Sequence, residues 1–221
     1  MSPDPWPLRD LVLRTPRLEL RPDDDAGLLE LVAEAEAGIH PPSEMPFREA
    51  WTDIPTDRFG RSILQFHWSQ RAALRPEQWR LNFLVRREGR VIGTQGLAAD
   101  DLAVLHTVAT GSWLGARSQG QGYGTEMRAA VLMFAFDHLG ARRARSAVVD
   151  GNPRSLAVSR RLGYLPDGTE EFVLRGDRST EQRLLLTAER FQVSRPGWTT
   201  EVEGFAGCAA VLGVRTRRDH P

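Results

Sequence analysis

The sequence predicts an α/β protein built around a mixed β-sheet. Its 221 residues are 41% hydrophobic and 26% charged, which is typical of a globular domain and exceeds the usual length of one domain. Segments in which apolar and polar residues alternate, as in strands, are interleaved with segments in which apolar residues recur with the period of a helix. Two strands meet in a tight turn near Gly89, whereas later strands are separated by helices, so we expect both antiparallel and parallel pairs.

In the first half of the chain, local signals mark the ends of each predicted element. Residues 16–21 alternate apolar and charged side chains, as in a half-buried strand. The aspartates at 23–25 can cap an amphipathic helix that Gly38 ends. A loop rich in proline and aromatic residues covers 40–55. The elements predicted around these signals are strands at 16–21, 80–87 and 91–97 and helices at about 25–37 and 57–74.

The second half alternates strands and helices more regularly. The predicted elements are strands at about 104–115, 144–149, 170–175 and 181–187 and helices at 122–139 and 153–162. Past residue 191 the pattern changes, because Arg195, Pro196 and Gly197 interrupt it. We therefore predict a domain at 1–190 and an extension at 191–221, packed on the domain or at an oligomer interface. An added strand, a lid or an oligomer arm would fit the extension.

Composition excludes several classes of function. All 29 basic residues are arginine and 29 acidic residues balance them, so a nucleic-acid-binding module would rest on arginine abundance alone, and we expect no nucleic-acid partner. The absence of lysine excludes a Walker A loop, a Schiff base and a lysine general base. One cysteine, Cys208, excludes a disulfide framework and a multi-cysteine zinc site, and we expect no metal. The longest apolar run is eight residues and no signal peptide is visible, so we expect a cytoplasmic protein without a membrane partner.

The most informative segment is a glycine-rich loop between a predicted strand and a predicted helix. Gly120, Gly122 and Gly124 allow a ligand to approach the backbone closely. Successive N–H groups at a helix start form a site for an anion, and the helix dipole adds to the attraction for phosphate. A purely structural turn is the alternative. The spacing departs from the Rossmann fingerprint and also from the G-x-S-x-G nucleophile elbow around Ser118.

Two motifs together resemble the GCN5-related N-acetyltransferase (GNAT) superfamily. The loop matches Gln/Arg-x-x-Gly-x-Gly/Ala as Gln119-x-x-Gly122-x-Gly124, and an Asn-led helix beginning after Asn152 ends in Leu-Gly-Tyr164. Within the superfamily the sequence looks most like the RimJ/RimL branch, including a subgroup associated with succinyl-CoA. The resemblance covers residues 13–190. It implies a mixed, mostly antiparallel central sheet that is splayed at the acyl-CoA site and flanked by four helices.

The resemblance also implies how CoA is bound. Pantetheine would contact the strand before the loop, and the pyrophosphate would lie over the loop amides, with Arg117 adding a charge-assisted bond. Asn152 would touch the cofactor while also capping its helix ahead of Pro153. The cofactor-binding residues so implied are Trp113, Leu114, Gly115, Arg117, Gln119, Gly120, Gln121, Gly122, Tyr123, Gly124, Thr125, Asn152, Ser155 and Ser159.

Catalytic residues are less clearly marked by the sequence. Many relatives have, seven residues after the asparagine, a tyrosine that protonates the leaving thiolate. This chain has Ser159 there, whose hydroxyl can bond to the sulfur but is a poor acid. The glutamate common in the RimJ/RimL branch is replaced by Ala109, so His106 or Asp150 is the candidate base. Tyr164 is expected to pack beneath the site.

The resemblance implies an acyl-CoA-dependent N-acyltransferase that uses acetyl-CoA or succinyl-CoA. The acceptor would be a small-molecule or peptide amine, and a homodimer or higher homo-oligomer is expected. The acceptor pocket would lie at the early helices and the 40–55 loop, which hold aromatic residues and the histidines at 40 and 67; packing onto the sheet is the alternative for these side chains. A catalytically silent acyl-CoA-binding module is the alternative function, because Ala109 and Ser159 replace a base and an acid.

Overall fold

A nine-stranded sheet forms the centre of the computed structural model, which describes residues 4–214. The strand order is β7-β8-β6-β5-β4-β3-β2-β1-β9, and every neighbouring pair is antiparallel except β5 and β6. The strands are β1 (Val12–Arg14), β2 (Glu19–Pro22), β3 (Gln78–Arg87), β4 (Arg90–Asp100), β5 (Thr107–Leu114), β6 (Arg143–Val149), β7 (Leu165–Leu174), β8 (Asp177–Thr187) and β9 (Glu201–Glu203). The predicted mixed, mostly antiparallel sheet is confirmed.

Four long helices and three short ones accompany the sheet in the described residues. The long helices are α1 (Asp25–Glu36), α2 (Thr56–Ala73), α4 (Tyr123–Met133) and α5 (Pro153–Arg161), and the short ones are α3 (Leu102–Leu105), α6 (Ala188–Ser194) and α7 (Phe205–Cys208). A wider π-helical turn, Phe134–His138, continues α4. None of the helices within residues 4–214 combines the length and the apolar character that crossing a membrane requires.

Two hydrophobic cores lie on opposite faces of the sheet. Successive side chains of a strand point to opposite faces, so Phe83 packs in the larger core with residues of α4, whereas Leu84 packs in the smaller one. The smaller core also contains Leu28 and Leu31 of α1 and Ile63 of α2. The sheet is therefore sandwiched between α1 and α2 on one side and α4 on the other.

The sheet opens between β5 and β6. These two strands pair only where Thr107–Ala109 lie beside Arg143–Arg145. Beyond this point β5 continues to Leu114 and β6 continues to Val149, but the two strands no longer pair with each other. The strands therefore diverge towards their carboxyl ends and leave an opening through the sheet beside the start of α4, which confirms the predicted splay.

One predicted strand began too early, and a short strand was missed. The strand expected at about 104–115 begins at Thr107, because Leu102–Leu105 form the helical turn α3 between Asp101 and His106, two residues in left-handed backbone conformation. Val104 is 75% exposed, so its apolar character does not mark a buried strand. The short strand β1 was missed, because three residues are too few to show an alternating pattern.

The segment after residue 191 packs against the domain within the described residues. β9 pairs with β1, and the indole Nε1 of Trp79 donates to the carbonyl of Leu212 at 3.1 Å. Cys208 is fully buried in this region. The outer ends of the two predicted units, residues 1–3 and 215–221, lie outside the described residues. An oligomer interface at this extension stays a prediction.

Gly204 is predicted to be essential for docking this segment. It adopts a φ of +73°, and a Cβ there would overlap the carbonyl group of Asp10. We expect Gly204→Ala to lower the free energy of unfolding by about 1–3 kcal/mol, because it adds backbone strain and a steric clash. Gly197→Ala is the matched control, since a Cβ at Gly197 meets open space. Urea unfolding measures both variants, and equal stabilities would contradict the prediction.

Cys208 provides a second readout of the same variant. Burial raises the pKa of its thiol to about 11, so at pH 8 almost none of it is the reactive thiolate. We therefore expect slow labelling of Cys208 in the wild type and in Gly197→Ala. Faster labelling of folded Gly204→Ala would report local opening of the extension.

Candidate active site

A cleft of about 600 Å³ occupies the opening between β5 and β6. The starts of α4 and α5 form one wall, and the loop between α1 and α2 forms another. Nine of the residues implied by the resemblance line it together: Trp113, Leu114, Gln119, Gly120, Gly122, Gly124, Thr125, Asn152 and Ser155. The structure thus collects the loop residues and the start of α5 around one cavity.

The glycine loop presents the start of α4 to the cleft. Gly120 and Gly122 have φ values of +74° and +83°, a left-handed conformation that glycine adopts without steric cost. Gly122 precedes the helix and offers no side-chain cap, so the first N–H groups of α4 stay available to a ligand. The amide of Thr125 instead donates to the Gly122 carbonyl at 3.2 Å. The loop can therefore hold an anion with backbone groups around Gly122 to Gly124.

Side chains around the loop fix its shape. Gln119 Nε2 donates to the carbonyls of Ile39 and Leu114, both at 2.8 Å. Arg17 bonds to the buried carboxylate of Glu126 and, through Nη1, to the Gln121 carbonyl at 3.2 Å. Gln121 is exposed, and its side-chain amide donates to the carbonyl of Arg117. The side chains of Gln119 and Gln121 therefore hold the backbone of the loop in place.

Tyr123 lies beneath the loop instead of in the cleft. Its side chain is buried, and the guanidinium groups of Arg17 and Arg87 lie 4.6 and 5.2 Å from the centre of its ring. Only the backbone N–H of Tyr123 therefore suits the predicted anion site.

The structure turns Arg117 away from the cleft. It forms an ion pair with Glu34 of α1, which is only 1% exposed, and its Nε donates to Glu34 Oε1 at 3.2 Å. A buried carboxylate needs a counter-charge, and Arg117 supplies it. Gly115 leaves room for this ion pair, because a Cβ there would overlap the Glu34 carboxylate. The predicted phosphate contact of Arg117 and pantetheine contact of Gly115 are therefore not supported by the geometry.

The start of α5 supplies a second polar wall. Asn152 Oδ1 accepts a hydrogen bond from the Ser155 amide at 3.1 Å, so Asn152 caps the helix ahead of Pro153. Arg154 lines the cleft and donates to Gln119 Oε1 at 2.8 Å. Sequence reasoning missed Arg154, although its position in the first turn after the Asn-Pro start could have indicated it.

None of the three predicted catalytic side chains lines the cleft. Ser159 is fully buried; its hydroxyl donates to the Ser155 carbonyl at 3.1 Å and accepts from Arg128 Nη1 at 2.9 Å. His106 lies at the opposite end of β5 from Leu114, with Nδ1 3.1 Å from the Gly140 carbonyl. Asp150 is exposed in the turn after β6. The geometry therefore favours a base other than His106 or Asp150.

A buried carboxylate that sequence reasoning missed lines the other side of the cleft. Glu181 of β8 is 6% exposed and forms an ion pair with Arg48 of the α1–α2 loop. Arg48 also bonds to Glu170 of β7 at 2.6 Å and thereby lowers the pKa of that exposed carboxyl group. Glu44 lines the same side and is exposed. No local motif marks Glu181, because its surroundings come from a loop 133 positions away.

Some side chains of the aromatic loop at 40–55 line the cleft, as an acceptor pocket would require, and others pack against the rest of the protein. Phe47 and His40 line the cleft. Trp51 instead stacks on Phe59 of α2, with ring centres 5.9 Å apart, and it packs near Trp113. The other histidine predicted near this pocket, at position 67, is buried beside the carboxylate of residue 23. Within residues 4–214, no three His, Cys, Asp or Glu side chains are grouped so that they could hold a metal ion.

A sheet that opens between two strands, beside a helix that begins at a glycine loop, is the architecture that the resemblance implied. Residues 11–165, more than half of the chain, match the family described as "Acetyltransferase (GNAT) domain". The chain therefore belongs to the GNAT family, which confirms the resemblance.

Solved structures share the fold at low sequence identity. The Mycobacterium smegmatis RimJ in complex with CoA-disulfide is 22% identical, with a TM-score of 0.63 over 86% of this chain and 91% of that one. A GCN5-related N-acetyltransferase from Brucella melitensis is 20% identical, with a TM-score of 0.68 over 88% and 86%. Mutant forms of the spermidine/spermine N-acetyltransferase SpeG from Vibrio cholerae are 14% identical, with a TM-score of 0.60 over 81% and 98%.

Proposed function

We propose that the protein is an N-acyltransferase that moves an acetyl or succinyl group from CoA to a primary amine by direct attack on the thioester. One observation carries this proposal: the cleft joins a backbone anion site at Gly122 to a buried carboxylate at Glu181. The anion site suits the CoA pyrophosphate. The carboxylate suits an amine that must lose a proton.

The open edge of β5 is proposed to hold the pantetheine and the reacting carbonyl. The carbonyls of Gly111 and Trp113 point towards β4, because a Cβ at Gly96 would lie 3.3 Å from the first and one at Gly93 would overlap the second. Amides alternate along an antiparallel strand, so those of Ser112 and Leu114 face the opening. In our proposal they bond to pantetheine and stabilise the oxyanion.

Acyl transfer then follows a balanced sequence. The amine nitrogen attacks the thioester carbonyl carbon, and the collapsing oxyanion expels the CoA thiolate, which keeps the electron pair of the broken C–S bond. Glu181 accepts the proton that the amine loses, directly or through one water molecule. The thiolate is later protonated from solvent, because the Ser159 hydrogen is already donated to the Ser155 carbonyl.

The Ser159 position tests this last point. We expect Ser159→Ala to lower kcat only two- to fivefold, because the hydroxyl is buried outside the cleft and acts through Arg128 and Ser155. Initial rates with saturating acyl-CoA measure the effect. A loss of a hundredfold or more in a folded variant would identify Ser159 as the acid that protonates the sulfur.

Amine-dependent release of the CoA thiol tests the proposed function itself. Acetyl-CoA and succinyl-CoA are each incubated with the protein and a polyamine, an amino sugar, or a peptide with a free N-terminus. We expect saturable thiol release with at least one amine, together with an acylated product of matching mass. CoA binding without transfer to any amine would instead support the silent acyl-CoA-binding module.

A further inference from the structure

Arg128 of α4 is a buried cation without an acidic partner among residues 4–214. It is 4% exposed and lines the cleft. Nη1 donates to the hydroxyl of Ser159 at 2.9 Å and Nη2 to that of Ser112 at 3.2 Å. Within the described part of the chain its Nε has no hydrogen-bond partner. Neutral hydroxyl groups are therefore its only polar contacts there.

Other arginines of this protein show how unusual that environment is. Arg86 and Arg195 are more exposed than Arg128, yet each pairs with a carboxylate, Glu30 and Asp137 respectively. A buried charge is costly unless a counter-charge accompanies it. Burial accordingly lowers the pKa of Arg128, although an arginine side chain stays charged in proteins. An anionic group of a ligand would supply the missing partner.

The position of Arg128 indicates which part of a ligand it meets. From the glycine loop inwards, β5 presents Leu114, then Ser112, then Thr110 to the cleft. A pantetheine chain that starts at the loop and follows this edge brings its acyl group to Ser112 and Thr110. The hydroxyl-bearing residue Ser146 also lines this inner end. The hydroxyl groups and the guanidinium at this inner end of the cleft suit a charged or polar acyl end better than the methyl group of acetate.

Resting on the proposed function, we propose that Arg128 binds a carboxylate at the far end of the acyl chain. The preferred donor would then be the CoA thioester of a short dicarboxylic acid, with succinyl-CoA as the probe. Nη1 and Nη2 each keep one N–H beyond those donated to Ser159 and Ser112, and two N–H groups of one guanidinium can donate to both oxygens of a carboxylate. The hydroxyl group of Ser112, already bonded to Nη2, lies beside that site.

The test compares two donors that differ only at the acyl end. Succinyl-CoA and butyryl-CoA have four-carbon acyl chains that end in a carboxylate and a methyl group, respectively. For the wild type we expect kcat/KM to be at least tenfold higher with succinyl-CoA. In Arg128→Met, which keeps the length of the side chain and removes its charge, we expect the ratio to fall to about one. Affinity for CoA itself should change less than threefold, and calorimetry measures it.

Arg154→Met is the matched control. Arg154 also lines the cleft, but it lies at the start of α5 and bonds to Gln119 near the glycine loop. Its removal takes the same charge from the cleft. We expect it to affect both donors equally and leave the succinyl-to-butyryl ratio unchanged.

The outcomes separate this inference from the function on which it rests. Equal kcat/KM values for the two donors in the wild type overturn the role of Arg128, even though CoA binding and transfer stand. Retention of the succinyl preference in folded Arg128→Met overturns it as well. Failure of every CoA ligand to bind overturns the proposed function instead. If Arg128→Met does not fold, the wild-type ratio and Arg128→Lys decide, and we expect the lysine to keep only part of the preference because it lacks the fork of donors.

Discussion

Gly122→Glu is expected to weaken CoA binding by at least a hundredfold while the protein stays folded. The substitution places a side chain and a negative charge at the start of α4, where the pyrophosphate is proposed to lie. A Cβ at this position would lie 3.3 Å from Arg17 Nη2, so Arg17 can pair with the new carboxylate. That pair would hold the carboxylate at the anion site. Calorimetric titration with CoA measures the loss.

Gly140→Glu controls for backbone strain and added charge. Gly140 has a φ of +72°, close to the +83° of Gly122, and a Cβ there meets open space. It does not line the cleft. Both variants should lose about 1–2 kcal/mol of stability from the left-handed conformation, but only Gly122→Glu should lose CoA affinity. Unchanged affinity in Gly122→Glu would contradict the assignment of the glycine loop.

Glu181→Gln should lower kcat by about 10²- to 10⁴-fold, the usual contribution of a general base. Glutamine retains the size of the side chain and an acceptor for Arg48, but it cannot take the amine proton. Because Glu181 lies across the cleft from the glycine loop, KM for the acyl-CoA should change little. Steady-state rates over a range of acyl-CoA concentrations separate the two parameters.

Glu170→Gln separates the proposed base from the ion pair. Glu170 bonds to the same Arg48, but its side chain is 41% exposed and it does not line the cleft. Its substitution should therefore reduce kcat by less than fivefold. Equal losses in Glu170→Gln and Glu181→Gln would show that the carboxylates act by positioning Arg48, and a full rate in Glu181→Gln would remove Glu181 from the mechanism.

The features that the sequence predicted well are encoded locally. Gly120 and Gly122 favour a turn with left-handed backbone, which both adopt, and Asn152 followed by Pro153 marks a helix start. A family resemblance based on two such motifs was enough to predict the splayed sheet. The proposed backbone anion site follows from the same local rules, because it depends on where α4 begins.

The features that the sequence could not predict depend on long-range contacts. Glu181 lines the cleft beside Arg48 only because the α1–α2 loop reaches the β8 strand. Arg117 points away from the cleft because it forms an ion pair with the buried Glu34 of α1. His106 lies just before β5, at the end of that strand far from Leu114. Proximity along the chain thus does not bring His106 to the cleft, whereas tertiary packing places Glu181, our proposed base, on its wall.

A crystal structure of the protein with bound CoA tests the central claim most directly. The account predicts that the pyrophosphate contacts the backbone amides around Gly122 and that pantetheine follows β5 past Leu114. The thiol should then end near Ser112 and Arg128, with Glu181 across the cleft. CoA bound at another surface, or a pyrophosphate that does not contact the amides at the start of α4, would contradict the account.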